Sequence, residues 1–241
     1  MYNLVSQDKY TEGLYPTHQL GTLGIDKNGD RFRYVKAGAS ALVAANLLQE
    51  AAEDTAFRSM AVDTAAAKGD TMVSVTLGGT AVTANMFDAG ILYVESSTGI
   101  GQKFNIKRHE VQSSTSGSCN FYLDRPLKVA LTTSSQVTVR KNPYAAVIAY
   151  PATTQTGGAV GFALYAQTAS YYGWIQSGGN TAVLFDTGTN SANGASALAP
   201  SAAVAGSVAP VLDAVGALVI GFSREVVSVD STVGLAHIII D

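Results

Sequence analysis

The sequence predicts a mainly β protein, assembled from antiparallel β-sandwich or barrel modules with at most one or two short helices. Three observations carry this. Strand-length runs of Val, Ile, Thr and aromatic residues recur along the chain, Gly, Asn, Asp and Pro punctuate them at turn spacing, and only one segment has helical composition.

Residues 1–16 are polar with Tyr2, Tyr10 and Tyr15 interspersed, and read as an extended arm able to dock on a neighbour through its rings. From Leu20 to Val43 the alternation predicts two strands joined at Asn28-Gly29, a pair suited to a type I′ turn because both central positions need positive φ. The same stretch, DKNGD from Asp26, invites comparison with a calcium loop. Counting from Asp26, however, the sixth position is Arg31 and the twelfth is Ala37, where such a loop needs Gly and a bidentate Glu. The turn reading prevails, and no metal is expected.

Ala41 to Ala67 is the helix-like segment. It sets Leu47, Leu48, Ala51 and Ala52 near one face but has no capping box, so a short helix or an irregular linker is expected. Residues 70–142 then carry MVSVTLG, ILYVES, KFNIKRH, CNFYLD and SQVTVRK, runs at the spacing of a small sandwich or barrel. Gly99-Ile100-Gly101-Gln102 within it is not a phosphate-binding loop, because the KFNIK that follows alternates as a strand rather than opening a helix.

From Tyr144 onward come AVIAY, AVGFALYAQ, YYGWIQSGG, TAVLFD, ALVIGFS and LAHIIID, with a long Gly/Ala/Ser/Thr-rich loop from Thr187 to Pro210. At an offset of 140 residues, Phe32, Tyr34-Val35 and Gly38 align with Tyr172, Trp174-Ile175 and Gly178. The organisation that follows is an arm (1–16), two halves of a split β-domain (17–69 and 143–241) and an inserted barrel or sandwich module (70–142).

Chemistry is sparse. A formal net charge of −3 gives no footprint for nucleic acid. The N-terminus lacks the basic and apolar regions of a secretory signal, and no run reaches the ~20 apolar residues of a membrane span, so a soluble chain is expected. The lone Cys119 cannot be set beside His18, His109 or His237 by spacing. Glu50, Glu53 and Asp54 lie on one segment rather than facing each other across a substrate, and Gly38-Ala39-Ser40-Ala41 lacks the last Gly of a nucleophile elbow. No catalytic residue and no cofactor are expected. Trp174 with Tyr171 and Tyr172 offers either core packing or a stacking platform. Tyr2, Tyr10, Tyr15, Tyr171, Tyr172 and Trp174 are therefore the candidates for partner binding. With 14% charged and 47% hydrophobic residues, a surface partly covered by other copies or another protein is expected.

GDRFRYVKAGASAL, FDAGILYVESSTGIGQKFNIKRH with YLDRPLKVAL, and YYGWIQSGGNTAVL followed by the Gly/Ala-rich loop together span most of the chain. In these the sequence resembles the virion structural proteins of tailed bacteriophages that decorate and cement the capsid. The resemblance implies a β-rich fold, homotrimers seated on the capsid exterior after assembly in the host cytoplasm, the major capsid protein as partner, and no enzymatic activity. A head-fibre or glycan-binding module using the Trp174 aromatics is the alternative, and a capsid shell subunit a more remote one.

Overall fold

The computed structural model describes residues 8–187, 194–211 and 218–241, together with the backbone of Tyr2 and Asn3. The protein is mainly β, and among the described residues there is no α-helix, only the 3₁₀ turns Asp8–Tyr10 and Thr55–Phe57.

Strands β1 (Tyr2–Asn3), β2 (Leu23–Ile25), β3 (Arg31–Ala37) and β4 (Leu47–Gln49) open the chain. Six more follow: β5 (Met60–Ala61), β6 (Met72–Thr76), β7 (Ile91–Ser96), β8 (Lys103–His109), β9 (Ser118–Leu123) and β10 (Gln136–Arg140). The remainder are β11 (Ala145–Ala149), β12 (Ala159–Ala163), β13 (Tyr172–Phe185), β14 (Ala197–Pro200), β15 (Val208–Pro210), β16 (Gly221–Ser223) and β17 (Thr232–Ile239). They divide into two compact units, Met1–Ala52 with Pro143–Asp241, and Glu53–Asn142.

The first unit is two closed barrels that share one strand. β13 runs for 14 residues, far beyond the ~5–6 of a typical strand. Its first half pairs with β3, and the ring closes through β11, β4 and β12. Its second half pairs with β17, and a second ring closes through β16, β14 and β15. The changeover is a bulge: between Gln176 and Gly178 the strand advances two residues while β3 advances one, leaving Ser177 extra. Gly179 follows at φ +93°, and a Cβ there would meet Asp30 Oδ1 at 2.0 Å. Only glycine fits where the strand bends from one barrel into the next.

Each barrel has its own filling. Val35, Leu48, Val147, Val160 and Ile175 pack in the first, while Phe162, Val183, Phe185, Leu198, Val208 and Ile238 centre on the second. The 140-residue alignment falls on β3 and β13, which are neighbours rather than equivalent strands. They run antiparallel, so Tyr34 does stand opposite Trp174, but Phe32 stands opposite Gln176.

The second unit is a six-stranded sheet in the order β5-β10-β7-β8-β9-β6, and a bridge from Val62 to Val75 joins its two ends. Period-two burial in β6–β9 aims Phe104, Ile106, Phe121 and Leu123 inward, where each fully buried side chain contributes roughly 1.5–3 kcal/mol. The five strands read from the sequence in this region are β6 to β10, and Gly99–Gln102 is the turn between β7 and β8.

Two expectations need correction. The helix-like segment forms β4, one 3₁₀ turn and β5. Leu47, Leu48 and Gln49 are all buried, so this strand is covered on both faces and shows no alternation. Asp54 does cap the turn, accepting from Ala56 N at 3.0 Å, but Arg58 is already extended at ψ 147°. The boundary at residue 70 also moves, to residue 53, because Phe57, Met60, Val62 and Ala66 are drawn into the second unit's core.

The Asn28-Gly29 hairpin joins β2 to β3, with a different turn from the one expected. Asp26 O accepts from Gly29 N at 3.0 Å and Asp26 N donates to Asp30 O at 3.1 Å, so Lys27 and Asn28 are central. Gly29 alone takes the left-handed position, at φ +86°. Asp26 Oδ1 decides this by accepting from both Asn28 N and Asp30 N, at 2.9 and 3.2 Å.

A second turn recurs along the chain. Asn46, Asp70, Met86, Ser135, Tyr171 and Ser207 each donate their N–H to the carbonyl three residues back, just before or at the start of a strand or loop. Ala45, Gly69, Asn85, Ser170 and Gly206 sit at positive φ within five of them. This repeated use explains the abundance of small residues between strands.

Candidate binding surfaces

The sequence-predicted aromatics gather on the outside of the first barrel, except Tyr2, whose side chain lies outside the described residues. Tyr34 and Trp174 project outward from β3 and β13, and the segment 8–18 crosses over them. It is a strap rather than a free arm. Gly13 exchanges both backbone hydrogen bonds with Tyr172, at 3.0 and 2.8 Å. The Tyr165 hydroxyl donates to Thr11 O at 2.7 Å, and the Glu12 carboxylate accepts from Thr168 N and Oγ1, both at 2.7 Å. Lys9 pairs with Asp26 at 3.0 Å, while Thr17 N and Oγ1 donate to the Tyr34 hydroxyl at 3.0 and 3.1 Å. Burial, then the Glu12 charge, pushes the Tyr165 hydroxyl well above the ordinary phenol range.

This covering sorts the candidates. Trp174 is 3% exposed, its ring in a triangle with those of Tyr34 and His18, with centroids 5.2 and 5.3 Å away and the other two 5.2 Å from each other, so it is not open as a platform. Tyr172 is half-buried, stacked on Tyr34, with the Lys36 ammonium 5.3 Å from its ring centre. Tyr171 is also half-buried, and its carbonyl accepts from Ala37 N and Gln167 Nε2. Tyr10 and Tyr15 remain in water, Tyr15 at 79%. Between strap and barrel lies a cleft of about 370 Å³ whose walls include Asp8, Glu12, Tyr15, His18 and Tyr172.

Cys119, His109 and the acidic residues singled out in the sequence each make hydrogen bonds or ion pairs within the fold. Cys119 and His109, which spacing could not relate, both bond the carbonyl of Glu110, at 3.4 and 3.0 Å, rather than each other. His109 Nε2 accepts from Phe87 N at 3.1 Å, which assigns the ring proton to Nδ1. Burial, with the Glu110 charge, pushes the Cys119 thiol up to about 11. Glu53 pairs with Arg58 and Arg140, Asp54 caps a turn, and Glu50 accepts from Gly158 N at 3.0 Å. Asp26 and Asp30 spend oxygens on backbone N–H groups, including Asn180 N at 3.0 Å for Asp30.

Apolar exposure is the feature the sequence reading underestimated. In the second unit Ile100, Val111 and Val129 are 67%, 65% and 48% exposed. In the first, besides Tyr10, Leu14 and Tyr15, the run from Leu218 to Ile239 exposes a series of large side chains. A signal was present: β17 is apolar at alternate positions in both phases, where a barrel wall facing water should be polar in one. No family model, curated protein or solved structure matches the chain.

Proposed function

We propose that this is a non-enzymatic virion structural protein that binds the outer surface of a tailed-bacteriophage capsid, associates with other copies and bridges capsomers. The observation that carries the reading is the presence of exposed apolar side chains on both compact units, Ile100 and Val111 on one, Tyr15, Val233 and Leu235 on the other. A bridging protein needs more than one adhesive surface, since multivalent contact turns weak individual binding into durable attachment. The low charge and the resemblance in GDRFRYVKAGASAL and YYGWIQSGGNTAVL support the same reading. The test is rebinding of purified protein to capsids stripped of it, with a gain in their resistance to heat or osmotic shock. Failure to rebind sinks the proposal.

The strap cleft favours a second reading, a glycan-binding virion module. Here the stacking ring would be Tyr15 rather than the buried Trp174. Glycan-array binding abolished by Tyr15→Ala supports that alternative.

A further inference from the structure

We propose that the cleft between strap and barrel in the first unit takes a saccharide bearing a protonated amine, an amino sugar, in preference to its neutral counterparts. The inference rests on the glycan reading of this cleft and names its ligand class. At about 370 Å³ the cleft falls within the ~300–1,000 Å³ of small-molecule sites, a size suited to sugar rings.

The argument starts from charge. Asp8 and Glu12 line the cleft, and among the described residues no Lys or Arg does. Both Glu12 oxygens are held by Thr168, whereas no hydrogen bond or ion pair among the described residues engages the Asp8 carboxylate. Two ammoniums stand close by. Lys9 is turned to Asp26 at 3.0 Å, and Lys36 lies 5.3 Å from the Tyr172 ring centre. Counting Asp26, three carboxylates meet two ammoniums, so the neighbourhood stays negative; His18, also on the wall, packs its ring against Tyr34 and Trp174. A ligand that covers an unpaired carboxylate displaces its water, which costs free energy unless the ligand brings a cation. A protonated amine supplies one.

Two observations favour a sugar over a lysine or arginine side chain as the carrier of that cation. The first is the Thr17–Tyr34 pair, both members of which line the cleft. Their hydroxyls lie 3.1 Å apart, and Thr17 N donates to the Tyr34 hydroxyl at 3.0 Å. Whichever hydroxyl donates to the other, one of the two O–H protons is left without an acceptor among the described residues. Sugar oxygens accept such a proton, while ammonium and guanidinium groups carry no acceptor. The second is Tyr15, on the same wall and 79% exposed. Its open ring offers a face to the C–H side of a pyranose, and the negative π-cloud also favours an adjacent ammonium.

Isothermal titration calorimetry of the full chain tests this, at mildly acidic pH where the amine is charged. The probes are identically linked trimers of glucosamine, N-acetylglucosamine and glucose, which differ only in the substituent at one ring carbon. The glucosamine trimer should bind about five- to tenfold tighter than the other two, and Asp8→Asn should erase the difference. Asp8 is exposed and without a partner among the described residues, so its loss carries no packing cost, and circular dichroism checks the fold. Affinities within about twofold of one another, or a preference that survives Asp8→Asn, overturn the inference and leave the glycan reading standing. Absence of binding by these trimers and by every sugar of a glycan array overturns both. A lysine-containing peptide that binds where no sugar does assigns the cleft to a basic protein segment and also overturns both. Capsid rebinding is decided separately from each of these results.

Discussion

Trp174 and Tyr34 stand opposite each other in the β13–β3 ladder with ring centroids 5.2 Å apart, nearly edge to face at 66°. The pair lies outside the barrel yet is buried, because the strap of residues 8–18 closes over it. A sheet's outer face has here become a second core, made by a segment whose polarity reads as surface.

Trp174→Ala removes that core's largest side chain and should cost about 3–5 kcal/mol, with Trp174→Phe costing less. Trp174 is the chain's single tryptophan, so its fluorescence during urea unfolding reports the first unit separately from the second. A loss under ~1 kcal/mol would show that the strap does not pack as described.

Gly179→Ala should destabilise by more than about 2 kcal/mol, since positive φ and the approach to Asp30 Oδ1 act together. Gly29→Ala is the control, having positive φ with nothing within 4 Å, and should cost only about 1 kcal/mol. The difference between the two, from the same urea titrations, isolates the steric part. An added Asp30→Gly should restore some of it.

Acid should weaken the first unit through Asp241. Its carboxylate accepts from Arg33 Nε and Nη2, and from Ser177 Oγ at 3.2 Å, while Arg31 reaches its carbonyl. The Arg33 hydrogen bond, against partial burial, holds Asp241 below the ordinary 3.8. A carboxyl depressed on folding stabilises at pH values above its unfolded pKa, and that contribution disappears as pH falls through the folded value. Asp241→Asn should therefore flatten the loss of stability below about pH 4, by about 1 kcal/mol or less for a pair this open to water. Urea midpoints from pH 2 to 7 check it.

Cys119 should resist a thiol reagent at pH 8 in the native protein and react rapidly in urea. With its thiol pushed up to about 11, only about one molecule in a thousand carries a thiolate at that pH, and burial blocks access as well. Fast native labelling would show that β9 opens readily.

Legibility followed the locality of the cause. The strands β6 to β9 could be read because one face of each is buried and the other wetter, which writes period two into neighbouring residues. β4 could not, since its two faces enter different cores, Leu47 packing with Phe162 and Val183 and Leu48 with Val160 and Ile175, all more than a hundred residues away in sequence. Among the candidate aromatics, residue type marked the region, but the strap determined that Tyr15 meets water and Trp174 does not.

By itself the sequence determined a β protein with turns at its Gly, Asn and Asp positions, few charges, and a break in organisation near Asn142-Pro143. Turn chemistry, strand alternation and composition act over a few residues, so they are written locally. Only the tertiary structure decided that β13 serves two barrels, that Val62 meets Val75 to join the second unit's sheet ends, and that Val233 and Leu235 of β17 face water. Each of these depends on which distant strand lies alongside, and the energy of such pairings belongs to contacts that no short window of sequence contains.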